Sequence, residues 1–264
     1  MMSIRHYNPG RNRRGRISVA AERFLYGSLY LSILCQLIFL FLNDSKLILI
    51  STIVLAVFSL AHSQLAYGKR YFYSYLIFTF SFAILIEYTS IRTAWPFGQV
   101  TYLNLGLEIS KVPVLILILW LAIAHPLLIL ARKVAPNWVL LIGALAITGY
   151  QLFFDQLLVT NNFKSWQFTG AHIPFQTHIP LSNSIGWIFV GVLYFGLANL
   201  ILPKERRKIT ASLTSIDIFL IWTLTYNFIA NVFFFGKPGT ALIGSLIFGA
   251  LLAPYLTARY LGQP

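Results

Sequence analysis

Charge is scarce in this chain. Only 10% of its 264 residues are Asp, Glu, Lys or Arg, against 58% hydrophobic. That balance excludes a soluble domain, whose surface carries far more charge. Acids are rarer still, seven against twenty Lys and Arg. One cysteine, Cys35, excludes an intramolecular disulfide, and its place inside an apolar run assigns it to packing. There is no sequence repeat and no low-complexity tract. A G-x-G-x-x-G turn, a Walker loop, H-E-x-x-H and G-x-S-x-G are all missing. Without a phosphate cradle, ATP- or NAD-driven chemistry is disfavoured. What remains is a reaction needing protons, water and an apolar substrate, with no cofactor and no metal.

Long hydrophobic runs are what the chain does have. Crossing the hydrocarbon core takes about 20 helical residues. Eight runs near that length are expected to span, at about 24–42, 47–66, 72–91, 112–130, 138–160, 185–202, 213–235 and 240–257. The expected fold is all-α: one integral membrane domain over 1–264, a polytopic transmembrane helical bundle. The basic stretch before the first run resembles a signal peptide, but that run is too long for a cleaved one and is read as the first span. Gly236-Lys237-Pro238-Gly239 favours a tight hairpin between the last two spans.

The net charge of +13 raises the question of nucleic acid. Its distribution argues against that partner, because the cations sit in short segments between spans. With residues 1–23 as a basic cytoplasmic tail, fifteen of the 20 Lys and Arg fall inside and five outside. That is the bias that sets orientation. Both termini are therefore expected in the cytoplasm, and the protein in the cell membrane with the lipid bilayer as its first partner. Two outside segments are long, 92–111 and 161–183, and long loops carry function more often than short ones.

Ionisable groups inside lipid are functional candidates by default. Glu87 closes the third span and Asp155 lies near the outer end of the fifth, at similar depth. Two carboxylates facing one low-dielectric cavity could supply a general acid. The blander reading is a structural interhelical bond, with Glu87 neutralised by Arg92. Asp217, in the inner part of the seventh span, is the weaker candidate. Glu22, Asp44, Glu108 and Glu205 fall in loops or span ends and receive no role. His172 and His178 are six apart with no acid or Cys at ligand spacing, which disfavours a metal site. His62 and His125 sit near inner span ends, where snorkelling explains them. The 22 Phe, 14 Tyr and 6 Trp suit a polyene and could stabilise a cation, though aromatic belts belong to any membrane protein.

Three blocks within residues 87–187 resemble the CruF-like carotenoid biosynthesis proteins, which include hydratases of acyclic carotenoid end groups. Glu87, Arg92, Thr93, Pro96-Phe97-Gly98 and Tyr102 resemble an E-x-x-G-x-R-T-G-x-P-F-G-x-Y-x-Y block. Pro113, Trp120 and Pro126 match its second block. Asp155, Trp166, Pro180-Leu181-Ser182-Asn183 and Gly186-Trp187 resemble the third. Ser90 and Ala94 stand where the family usually has Gly. Val100 stands where Tyr is common, Gln151 at a position often acidic, and Gln156 in place of a Pro.

The resemblance implies addition of water to a terminal carbon–carbon double bond of a carotenoid, giving a tertiary alcohol. Glu87 and Asp155 are then the expected catalytic pair, one protonating the alkene and the other orienting water. Arg92 and Asn183 are expected to hold the acids. Phe97, Tyr102, Trp120, Trp166 and Trp187 are expected to contact the polyene or support the cation. A carotenoid or other polyene is the implied substrate, and other carotenoid biosynthesis enzymes are implied partners. The alternative is a non-catalytic carotenoid-binding or scaffold membrane protein, which Gln151 favours.

Overall fold

The computed structural model describes residues 15–261. Arg5, Arg11, Arg13 and Arg14 of the expected tail lie outside that range. Eight helices are long and apolar enough to cross a membrane, matching the eight expected spans. They are α1 (Val19–Leu42), α2 (Ser45–Tyr67), α3 (Lys69–Thr93), α4 (Val114–Val134), α5 (Val139–Thr160), α6 (Leu181–Ile201), α7 (Thr214–Ile229) and α8 (Pro238–Tyr260). A π-helical turn, Ala230–Phe234, extends α7. The expected hairpin forms there: Lys237 N–H closes onto Asn231 O at 2.7 Å, and Gly236 takes a left-handed turn.

Apolarity decides which helix is the axis. The most apolar helix is α4, and 89% of its spanning window is buried, against 33% for α1, α3 and α8. Those three turn apolar side chains such as Leu34, Ile77 and Leu246 outward, which only a lipid environment tolerates at this density. The basic end of α4 is fixed by Arg132. Its guanidinium donates to Asn199 Oδ1 at 3.1 Å, Pro203 O at 3.1 Å and Leu202 O at 2.9 Å. A cation there satisfies carbonyls at the C-terminus of α6.

One face of the bundle carries short connections at 68, 135–138 and 202–213, and the other carries the two long loops. On the short-loop face, β1 (Gly15–Arg16) pairs in parallel with β8 (Ile209–Thr210). Asp217 is buried beside it. The Asp217 carboxylate accepts from Tyr255 Oη at 2.6 Å and Tyr260 Oη at 2.7 Å, and lies 3.3 Å from Arg259 Nε. These contacts knit α7 to α8.

The two histidines near this face do not snorkel. His62 and His125 are both fully buried, and they form a directed chain. His62 Nε2 faces the Ser212 carbonyl at 3.2 Å, so it must carry the proton. His62 Nδ1 then accepts from His125 Nε2 at 2.9 Å. That leaves His125 Nδ1 to accept from Tyr71 Oη, also at 2.9 Å. The chain joins α2, α3 and α4 and fixes both tautomers. His125→Leu strands the Tyr71 hydroxyl and His62 Nδ1 in an apolar interior. It is expected to cost about 2–4 kcal/mol, read as a lowered unfolding midpoint of the purified protein.

Candidate functional site

The long loops are not irregular. They fold into short antiparallel ladders that cap the bundle. β2 (Gln99–Tyr102) pairs with β5 (Lys164–Gln167), setting Tyr102 opposite Lys164 and Val100 opposite Trp166. Side chains alternate across a strand. Tyr102, Val100, Lys164 and Trp166 therefore turn inward, while Gln99, Thr101, Ser165 and Gln167 are exposed. β3 (Glu108–Ile109) with β4 (Val112–Pro113), and β6 (His172–Ile173) with β7 (Gln176–Pro180), complete the cap.

Beneath the β2–β5 ladder lie both sequence-predicted acids, each 1% exposed. Glu87, on the last turns of α3, accepts from Tyr102 Oη at 2.8 Å and from Trp120 Nε1 at 3.2 Å. Asp155, on α5, forms a buried ion pair with Lys164 Nζ at 2.7 Å. It also accepts from Asn183 Nδ2 at 2.7 Å and Trp187 Nε1 at 3.2 Å. The partners of both acids are all donors, and Asp155 alone counts a cation among its own. Glu87 has no cation in ion-pair contact among the described residues. The two acids thus have similar burial but different company.

Aromatic rings join the two carboxylates. Trp120 and Trp187, the indole donors to Glu87 and Asp155 respectively, lie 5.4 Å apart. Phe97 stacks on Trp187 at 4.4 Å. Trp166 Nε1 donates to the Phe97 carbonyl at 2.9 Å, and Lys164 Nζ lies 4.6 Å from the Trp166 ring centroid. Burial, with Glu87 and Asp155 nearby, holds the Tyr102 phenol well above its ordinary range, so it stays a donor at neutral pH. Surface hollows of about 410 and 420 Å³ flank the ladder; one reaches Lys164 and Trp166, the other Tyr102.

Backbone approach sets this geometry. A Cβ on Gly186 would stand 2.4 Å from Pro96 O, so only Gly lets α6 touch the Pro96–Phe97 turn. That contact seats Phe97 on Trp187, one residue along. Gly98 (φ 85°) ends the turn and starts β2.

Two departures from the family pattern now have physical meaning. Ala94 is the left-handed C-cap of α3, φ 60°, a conformation that favours Gly. Ala94→Gly is expected to add about 0.5–1 kcal/mol of stability, measurable as a raised unfolding midpoint. Ser90 is fully buried, and its hydroxyl has no hydrogen-bond partner among the described residues.

Arg92 stands apart from the cluster. It is exposed and lies 5.4 Å from the Tyr88 ring, while Tyr102 and Trp120 take the place at Glu87 that Arg92 was expected to fill. Lys164 is the residue the sequence reading missed. As a loop cation it counted only toward orientation. Its alternation with Trp166 after an apolar Phe163 was the available signal. Gln151 is 4% exposed one turn from Asp155, and its amide has no hydrogen-bond partner among the described residues. Gln156 donates to Thr160 Oγ1 at 3.1 Å.

No group of three or more His, Cys, Asp or Glu is placed to hold a metal among the described residues. No curated protein and no solved structure matches the chain. The family model described as carotenoid biosynthesis protein matches residues 44–252, which takes in α2 to α7 whole, most of α8 and every residue of the acid cluster. This chain, with eight helices long and apolar enough to cross a membrane, belongs to the carotenoid biosynthesis protein family.

Proposed function

We propose that the chain hydrates a terminal trisubstituted double bond of an acyclic carotenoid end group, giving a tertiary alcohol. The observation that carries this reading is the unequal company of two sealed carboxylates beside one aromatic stack. Asp155 has a cation at 2.7 Å and two further donors; Glu87 has two neutral donors and, among the described residues, no cation in ion-pair contact. An acid without a counter-cation in a dry site is the better proton donor.

The step balances without a cofactor. The Glu87 carboxyl gives its proton to the less substituted alkene carbon, and the π pair forms the new C–H bond. Positive charge then rests on the tertiary carbon, where the faces of Trp187, Trp120 and Phe97 stabilise it. A water oxygen forms the C–O bond, and its surplus proton returns to Glu87. Asp155, held by Lys164 and Asn183, orients that water. Tyr102 and Trp120 position Glu87, and Trp166 positions the Phe97 turn. Both acids are buried, so substrate entry requires the β2–β5 cap to lift, from the side of either flanking hollow.

Expression in a lycopene-accumulating bacterial host tests the reading. The expected pigment has gained one water per modified end and carries a tertiary hydroxyl. Unchanged lycopene and unchanged related acyclic carotenoids, with the protein in the membrane, contradict it.

A further inference from the structure

Asn183 is 2% exposed, and half of its amide is accounted for. Nδ2 donates to Asp155 Oδ2 at 2.7 Å. Oδ1 is buried and has no hydrogen-bond partner among the described residues. A buried acceptor left in that state is costly. Turning the amide over does not relieve it, because the oxygen would then face a carboxylate. Asp155 thus fixes which way the amide points. The helix does not use the oxygen either. Asn183 stands in the first turn of α6, where an Asn side chain often bonds nearby backbone, yet its amide reaches across to α5.

Asp155 has little acceptor capacity to spare. A carboxylate oxygen accepts about two bonds. Oδ2 takes Asn183 Nδ2 and Trp187 Nε1, and Oδ1 takes Lys164 Nζ. Asn183 and the Trp187 indole converge on one oxygen, which sets the amide beside a ring that would face the cation. The amide oxygen there calls for a donor. Of the reactants in an alkene hydration, only water has an O–H to give. We infer that Asn183 Oδ1 holds the attacking water by one hydrogen and so decides whether the cation is captured. This role rests on the hydration proposed above. The lone pair of the water forms the C–O bond, its second hydrogen leaves to Glu87, and the first stays in the new hydroxyl. Asp155 orients the water through Asn183. Without that hold, the cation returns a proton from the adjacent carbon to Glu87, and the C–H pair restores the double bond.

Lycopene in membranes holding the full-length protein, incubated in heavy water, reads the two fates. Capture gives the alcohol; reversal gives alkene that has exchanged hydrogen for deuterium. Mass spectrometry of the pigment gives the ratio of exchanged alkene to alcohol. Asn183→Leu, which loses the amide oxygen at similar size, is expected to raise that ratio about tenfold, the scale of one hydrogen bond. Asn183→Asp keeps an oxygen in that place and, with one proton shared between the two carboxyls, the bond to Asp155. It is expected to bring the ratio back toward wild type. A merely structural role would slow exchange and capture together and leave the ratio unchanged. Should Asn183→Leu not reach the membrane, Asn183→Thr, whose hydroxyl ends one bond short of Oδ1, takes its place with the same expected rise. Alcohol from the wild type with an unchanged ratio in the variant overturns the inference and leaves hydration standing. No alcohol from the wild type contradicts hydration, and this role falls with it.

Discussion

Glu87→Gln is expected to lower hydration turnover by about 10³-fold while leaving the protein in the membrane at wild-type level. The amide fits the space of the carboxyl: its oxygen accepts from Trp120 Nε1 and its NH2 can donate to the Tyr102 hydroxyl oxygen, so both contacts are kept. What it loses is the transferable proton. The readout is the rate of alcohol formation per unit of membrane protein. Glu87→Asp, which keeps the proton but draws it back by one methylene, is expected to retain part of the activity. Equal activity in the wild type and Glu87→Gln would remove Glu87 from the chemistry and leave its bonds to Tyr102 and Trp120 as an interhelical clasp.

Lys164→Met is expected to have the largest effect on stability. Lys164 and Asp155 are a buried pair at 2.7 Å, with side chains only 2% exposed. Removing the cation leaves a carboxylate in the interior with Asn183 and Trp187 alone. Breaking such a pair typically costs about 3–5 kcal/mol. Lys164 also anchors β5, so its loss loosens the cap over the site. The test is thermal unfolding of purified protein, followed by the double variant Lys164→Met/Asp155→Asn. With both charges gone, the double variant is expected to recover part of the lost stability. If Lys164→Met unfolds at the wild-type temperature, the ion pair contributes nothing to holding the cap.

These two expectations rest on different kinds of legibility. All eight helices are readable from the sequence because each is an apolar run of membrane-crossing length, a signal that survives tertiary packing. The acids Glu87 and Asp155 are readable because a carboxylate at the end of such a run is rare. The cap is not readable. Its strands are two to five residues long, too short for a period-2 pattern to stand out, and the pairing of β2 with β5 joins segments more than 60 residues apart. Lys164 illustrates the loss: on the chain it resembles every other loop cation, and only the register opposite Tyr102 turns it inward. His62 and His125 show the reverse error. Their positions near span ends fit snorkelling, but their partner in the fold is each other.

The family pattern and the structure meet at small residues. Gly186 is required because α6 touches the Pro96 carbonyl, and Ala94 is tolerated at a C-cap that favours Gly. Neither requirement follows from apolar periodicity. Each needs the path of the backbone.

The most direct test of the central claim is the mass and structure of the pigment made when this chain is expressed with an acyclic carotenoid, beside its Glu87→Gln variant. Hydration predicts one added water per modified end, with a tertiary hydroxyl, in the wild type and almost none in the variant. Pigment that co-purifies with the protein at unchanged mass in both would contradict the account and make this chain a carotenoid holder.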